Sequence, residues 1–352
     1  MLSNETLFFL AFAAFVLLIM AVDLGAFSKQ KSHVVEFKEA AIWSAIWVSL
    51  SIAFYFFLQN FGYLVHGITD MARLQEIRNR YAEHVKLVPS NFPASLALFQ
   101  QNMSLEYITG YLVEYSLSAD NIFVFILIFN SFGVQQRYYK KILVWGILGA
   151  IVLRFIFIFL GSALIQRFEW IMYLFGAFLV YTGLQLFFQK EEDETIEPNK
   201  HPVVRFASKY LNIYHRNVTD NFFVRRKTDG KLFVTPLFII VIVVAFTDLV
   251  FAVDSIPAIF SITKDPYIVF FSNVFAIMGL RSMFFFLSSI MSQFRFLKVG
   301  LAVLLTFIGA KMLAEHWLAE LGFQPVYSLY IIVLILGVSI LASWLIPEKK
   351  EA

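Results

Sequence analysis

Apolar residues in this chain come in blocks rather than in amphipathic stripes. Most blocks are about 20 residues long, the length a helix rising 1.5 Å per residue needs to cross a hydrocarbon layer of about 30 Å. Reading the blocks in order predicts nine helices, over 6–27, 39–58, 104–131, 139–164, 169–189, 234–262, 267–291, 297–317 and 325–346. Short turns near Arg167 and near Asp265 and Pro266 separate neighbours. The expected fold class is an all-α membrane protein of about nine transmembrane helices. Its parts are two N-terminal helices (1–58), an external loop (59–103), a three-helix unit (104–189), a cytoplasmic loop (190–233), a second three-helix unit (234–317) and a C-terminal helix (325–346).

Composition agrees with the blocks. The 352 residues are 59% hydrophobic and 15% charged, and the mean hydropathy is +0.73, whereas soluble domains are nearer 45–50% apolar and 25% charged. A net charge of +3 with no clustered basic patch argues against a nucleic-acid partner. There is no cysteine, which excludes disulfides, thiolate metal sites and thiol catalysis. Met1 to Glu5 carries no Lys or Arg, so a cleavable signal peptide is not expected. With the N-terminus outside, nineteen Lys and Arg fall in inside segments and six in outside ones. The positive-inside rule therefore favours N-out, C-in, in the plasma (inner) membrane. Both long loops read first as solvated connections, and the cytoplasmic one is the better candidate for binding a partner.

Two stretches repeat. Glu114-Tyr-Ser-Leu-Ser-Ala-Asp120-Asn121-Ile122 aligns with Asp248-Leu-Val-Phe-Ala-Val-Asp254-Ser255-Ile256, acid on acid at both ends. The following helices carry Arg154 and Arg281, and the third ones Gly183 and Gly309. Units of three helices must run in opposite directions, which predicts an inverted repeat of the kind that places a transport site near the midplane.

Five carboxylates lie inside predicted spans: Asp23, Glu114, Asp120, Asp248 and Asp254. Each ionised acid at a helix centre costs about 2.5–3.5 kcal/mol on insertion scales. Pairing with Arg154 and Arg281 would explain some of them as structural. Five acids against two mid-span arginines leave negative charge over, which favours a cation site; Asp23, near the end of the first helix, is its weakest member. Lys311 is expected to snorkel outward or to pair with Glu315. Positions six apart are about 9 Å apart along a helix and about 120° around it. The inverted repeat would set Glu114 level with Asp254 and Asp120 level with Asp248, as two carboxylate layers. A helix broken at Pro257, which frees the carbonyl of Val253, would merge them instead. Ser116, Ser118, Thr247, Ser272 and Asn273 read first as helix–helix hydrogen bonders. Asn121 and Ser255 stand out because each follows an acid at matching repeat positions. The six histidines fall in loops or at span ends, so an oxygen site without Cys or buried His suits Mg²⁺, Ca²⁺ or Mn²⁺. No resident cofactor and no enzymatic motif is expected.

The motifs Glu114-Tyr-Ser-Leu-Ser-Ala-Asp-Asn-Ile-Phe-Val124 and Thr247-Asp-Leu-Val-Phe-Ala-Val-Asp-Ser-Ile-Pro-Ala258 resemble the TerC family of integral membrane proteins, placed in the LysE transporter superfamily. Asp265-Pro266, Ser272-Asn273, Gly279-Leu-Arg281, Phe222-Phe223-Val-Arg-Arg and Thr235-Pro-Leu extend the likeness over nearly the whole chain. The resemblance implies tellurium-ion resistance or manganese export, with Glu114, Asp120, Asn121, Asp248, Asp254 and Ser255 as the metal site. It also implies protons as a coupling ion and stress-response or secretion partners at the cytoplasmic loop. Many members carry an acid where this chain has Ala245, and the 59–103 segment is long for the family. The competing expectation is a membrane scaffold of a tellurite-stress complex whose buried charges are structural.

Overall fold

The computed structural model describes residues 4–23, 37–168, 170–188, 221–225, 231–290, 296–314 and 325–345, with the single positions 204, 209, 317, 318 and 323. Within these, the side chains of Asp23, Asp120 and Asp254 lie outside the described ones.

The chain is an all-α, multi-pass membrane protein. Its helices are α1 (Asn4–Asp23), α2 (Phe37–Phe61), α3 (Tyr63–His66), α4 (Met71–Tyr81), α5 (Phe92–Ser131), α6 (Gln136–Arg167), α7 (Trp170–Phe188), α8 (Pro236–Phe260), α9 (Pro266–Ile290), α10 (Leu297–Leu313) and α11 (Pro325–Leu345). Among the described residues six are long and apolar enough to cross a membrane: α1, α2, α6, α8, α9 and α11. Helices α7 and α10 contain shorter apolar stretches. Large apolar side chains such as Leu160, Tyr181, Leu334 and Trp344 are exposed on α6, α7 and α11, where lipid rather than water would cover them.

Helix α9 is the centre of the bundle and is almost wholly buried. It packs on α2, α5 and α6, while α6 also packs on α8 and α5 on α2. Phenylalanines fill the gaps: Phe12, Phe54, Phe271 and Phe275 meet at ring centroids 4.5–5.8 Å apart.

The pair α7–α10 packs backbone on backbone. A methyl on Gly183 would stand 2.7 Å from the Thr306 nitrogen and 2.9 Å from the Ala302 oxygen. A methyl on Gly309 would stand 2.7 Å from both the Val180 nitrogen and the Gly176 oxygen. When Gly183 is set on Gly309, Val180 falls on Thr306 and Gly176 on Ala302, so one contact is made twice. That is the pattern an approximate two-fold exchange of the two three-helix units would give.

Segment 59–103 differs from the expected external loop, because much of it is helical. Asp70 caps α4 by accepting from the Arg73 N–H at 2.8 Å, and Leu74, Ile77 and Tyr81 bury one face of that short helix. Helix α5 starts at Phe92, twelve residues before the predicted boundary, since Phe99 and Met103 are buried and carry the apolar face onward. The end of the 190–233 segment is also ordered, as an antiparallel ribbon of β1 (Phe223–Arg225) and β2 (Leu232–Val234). Helix α8 continues past Pro257 to Phe260 without a break. Lys311 Nζ donates to the Ser261 carbonyl at 3.0 Å, at the C-terminus of α8; the expected partner Glu315 lies outside the described residues.

Candidate functional site

The centre of the site is Arg154, fully buried on α6. Its Nε donates to Asp248 Oδ2 at 2.8 Å and its Nη2 to Asp248 Oδ1 at 3.1 Å, a two-bond grip from α6 to α8. Its Nη1 donates to Asn273 Oδ1 on α9 at 2.6 Å and also to Glu114 Oε1 on α5. Ser118, one turn beyond Glu114, donates to the same Oε1 at 3.2 Å. One guanidinium thus ties four helices together, and a planar fork with five N–H groups can do this where a lysine cannot.

Glu114 is the less satisfied of the two acids. Its Oε2 is buried and has no hydrogen-bond partner, and neither has the Oγ of Ser255. With ordinary charges, Glu114, Asp248 and Arg154 sum to one negative charge in the protein interior. An ionised oxygen without a donor in such a place is costly, so it attracts a cation or a proton.

Glu114 and Asp248, the first acid of each unit, share Arg154. Each expected level pair, Glu114 with Asp254 and Asp120 with Asp248, has one member whose side chain lies outside the described ones. Asp120 and Asp254 lie on α5 and α8, and Asp23 ends α1, but their side chains are outside the described ones. Asn121 and Ser255 are buried, as is Arg281 on α9. Ser116 and Ser272 bond carbonyls of their own helices at 2.6 and 3.0 Å. Ala245 faces the place of a Cβ on Gly149 at 3.1 Å, so α6 and α8 pack closely there. Among the described residues no group of three or more His, Asp or Glu is arranged to hold a metal.

Sequence reasoning missed two participants. Asn273 was read only as a helix hydrogen bonder, yet it completes the Arg154 shell. His66 was read within the 59–103 loop, yet it is buried, with Asp265 Oδ2 2.7 Å from its Nε2. His66 ends the short helix α3, and its partners Glu5 and Asp265 are remote in sequence, so no local signal marked it.

A family model described as "Integral membrane protein TerC family" matches residues 99–351. Curated relatives cover most of the chain. A Myxococcus xanthus protein named "Uncharacterized membrane protein STKORF319" is 40% identical over 94% of this chain and 90% of its own length. The Escherichia coli (strain K12) protein named "Putative membrane-bound redox modulator Alx" is 40% identical over 86% of this chain and 84% of its own. A Rickettsia bellii protein named "Uncharacterized membrane protein" is 35% identical over 94% and 95%. No solved structure matches.

Proposed function

The chain belongs to the TerC family of integral membrane proteins, and we propose that it moves a hard divalent cation, foremost Mn²⁺, across the plasma membrane through its buried carboxylates. One observation carries this reading. Arg154 leaves Glu114 with a bare buried oxygen and the cluster with a surplus negative charge. In this reading Asp248 is mainly structural, because both its oxygens are held by Arg154. The ion ligands are Glu114, Asn121 and Ser255, joined by Asp120 and Asp254, with Asp23 marking one end of the path. The two three-helix units are read as an inverted repeat with the site at their meeting point. Oxygen and amide donors without a thiolate or imidazole suit Mn²⁺ and exclude the softer ions. Export, with protons as the coupling ion and resistance to metal or tellurium-ion stress as the outcome, follows the family resemblance.

A redox role of the kind named for the enterobacterial relatives cannot run here through thiol–disulfide exchange, because the chain has no cysteine. The test is uptake of ⁵⁴Mn²⁺ by liposomes holding the purified chain, with Mg²⁺, Ca²⁺ and Zn²⁺ as competitors. A scaffold with structural charges would carry none, and that result would end the transport reading.

A further inference from the structure

A second charged cluster lies apart from Arg154, beyond the end of α2. It joins α1, α3, α4 and the Ser261–Asp265 turn that links α8 to α9. His66 is at its centre, wholly buried. Its Nε2 is 2.7 Å from Asp265 Oδ2, and its Nδ1 is 3.3 Å from Glu5 Oε1. Arg73 on α4 donates to the same Glu5 oxygen at 3.0 Å and to the His66 carbonyl at 3.2 and 3.3 Å. Tyr267 donates its N–H to Asp265 Oδ1 at 2.9 Å and its hydroxyl to Glu5 Oε2 at 3.4 Å. The Tyr81 ring stacks on His66 at 5.5 Å, and the Arg80 guanidinium lies 5.2 Å from the Tyr81 ring centre.

A neutral imidazole has one N–H, so it can donate to only one of two flanking carboxylates. Only the imidazolium serves Asp265 and Glu5 together. We propose that His66 is a proton-binding latch: its bound proton ties the α8–α9 turn to α1 and α4, and loss of that proton frees the turn. Burial pushes the ring toward neutrality, but Asp265 and then Glu5 outweigh it and raise His66 from 6.5 to about 9. A raised value means the latch is fully stabilised below about pH 6.5 and is lost as pH rises through about 9. Near neutral pH, opening the turn therefore releases a proton. Helix α8, which carries Asp248 and Asp254, ends at this turn, so release frees one end of the helix that the transport reading sets along the cation path. The link to cation movement rests on the transport reading above; the latch does not.

The test uses the purified full-length chain in lipid nanodiscs, where both faces are accessible. Ile262, buried in the turn, is replaced in Ile262→Cys, and labelling by an impermeant maleimide is timed from pH 6 to 10. Dividing by the rate for exposed Glu83→Cys at each pH cancels thiol ionisation. The ratio should stay low to about pH 8 and rise at least about tenfold by pH 10. Added His66→Asn should make the ratio high and flat. Added Asp265→Asn removes the strongest acceptor and should move the rise below pH 8; it decides the case if His66→Asn does not fold. A flat wild-type ratio, or a rise that neither variant changes, overturns the latch. Cation flux enters none of these readings, so a latch that behaves as described in a chain that carries no ⁵⁴Mn²⁺ would refute the transport reading alone.

Discussion

Arg154 holds Asp248 through two hydrogen bonds, at 2.8 and 3.1 Å, on one edge of its guanidinium. Glu114 meets a single nitrogen on the other side and keeps one oxygen bare. The two acids should therefore fail differently. Asp248→Asn turns one acceptor into an N–H facing Arg154 and should cost about 3–5 kcal/mol, read as a fall in thermal stability in detergent. Glu114→Gln keeps an oxygen for Arg154 and should cost clearly less, yet it should abolish Mn²⁺ flux in liposomes.

Asp120→Asn and Asp254→Asn keep shape and remove charge. Both should leave the chain inserted at near wild-type abundance while removing protection against Mn²⁺ stress in cells. Neither should be rescued by Arg154→Gln or Arg281→Gln. If either arginine change restores protection, the acids are arginine partners and not ion ligands.

Asn121 is buried directly after Asp120. Carboxylates alone distinguish Mn²⁺ from Mg²⁺ poorly, so an amide ligand matters to the choice. Asn121→Ala should reduce the preference for Mn²⁺ over Mg²⁺ in competition flux by several-fold while expression is kept. An unchanged preference would remove Asn121 from the ion's shell.

Topology is open to a labelling test in intact cells. A cysteine replacing Thr228 should be shielded from an impermeant maleimide, and one replacing exposed Ser90 should react. The reverse pattern would turn the whole transport path around.

The glycine contacts between α7 and α10 make a matched pair of tests. Gly183→Ala and Gly309→Ala each put a methyl within 2.7 Å of a backbone nitrogen. Each should cost about 1–3 kcal/mol by overpacking, measured as loss of thermal stability. Because the two sites make the same contact, the two losses should be similar.

Much of the fold was legible because lipid-facing and buried helices both demand unbroken apolar runs, and these stand out in any reading of the chain. Helix α4 was not, because its three inward residues, Leu74, Ile77 and Tyr81, are scattered among charges and mimic a solvated loop. The early start of α5 was hidden for a similar reason: polar Gln100, Gln101 and Asn102 interrupt the apolar signal inside a continuous helix. Within the site, the acids and arginines were visible as charges out of place. Their pairing was not, since residues six apart on one helix say nothing about which neighbour an arginine on another helix will choose. His66 was the largest gap, because its partners Glu5 and Asp265 lie far from it in sequence and only packing joins them.

Backbones in contact do not slide. For α7 to shift along α10 by even one residue, a side chain would have to pass through the space beside Gly176, Gly183 and Gly309 that main chain and small side-chain atoms of the facing helix already fill. The close approach makes these two helices one rigid unit. Consecutive helices α8 and α9 touch each other little, and Lys311 of α10 donates to the Ser261 carbonyl at the end of α8.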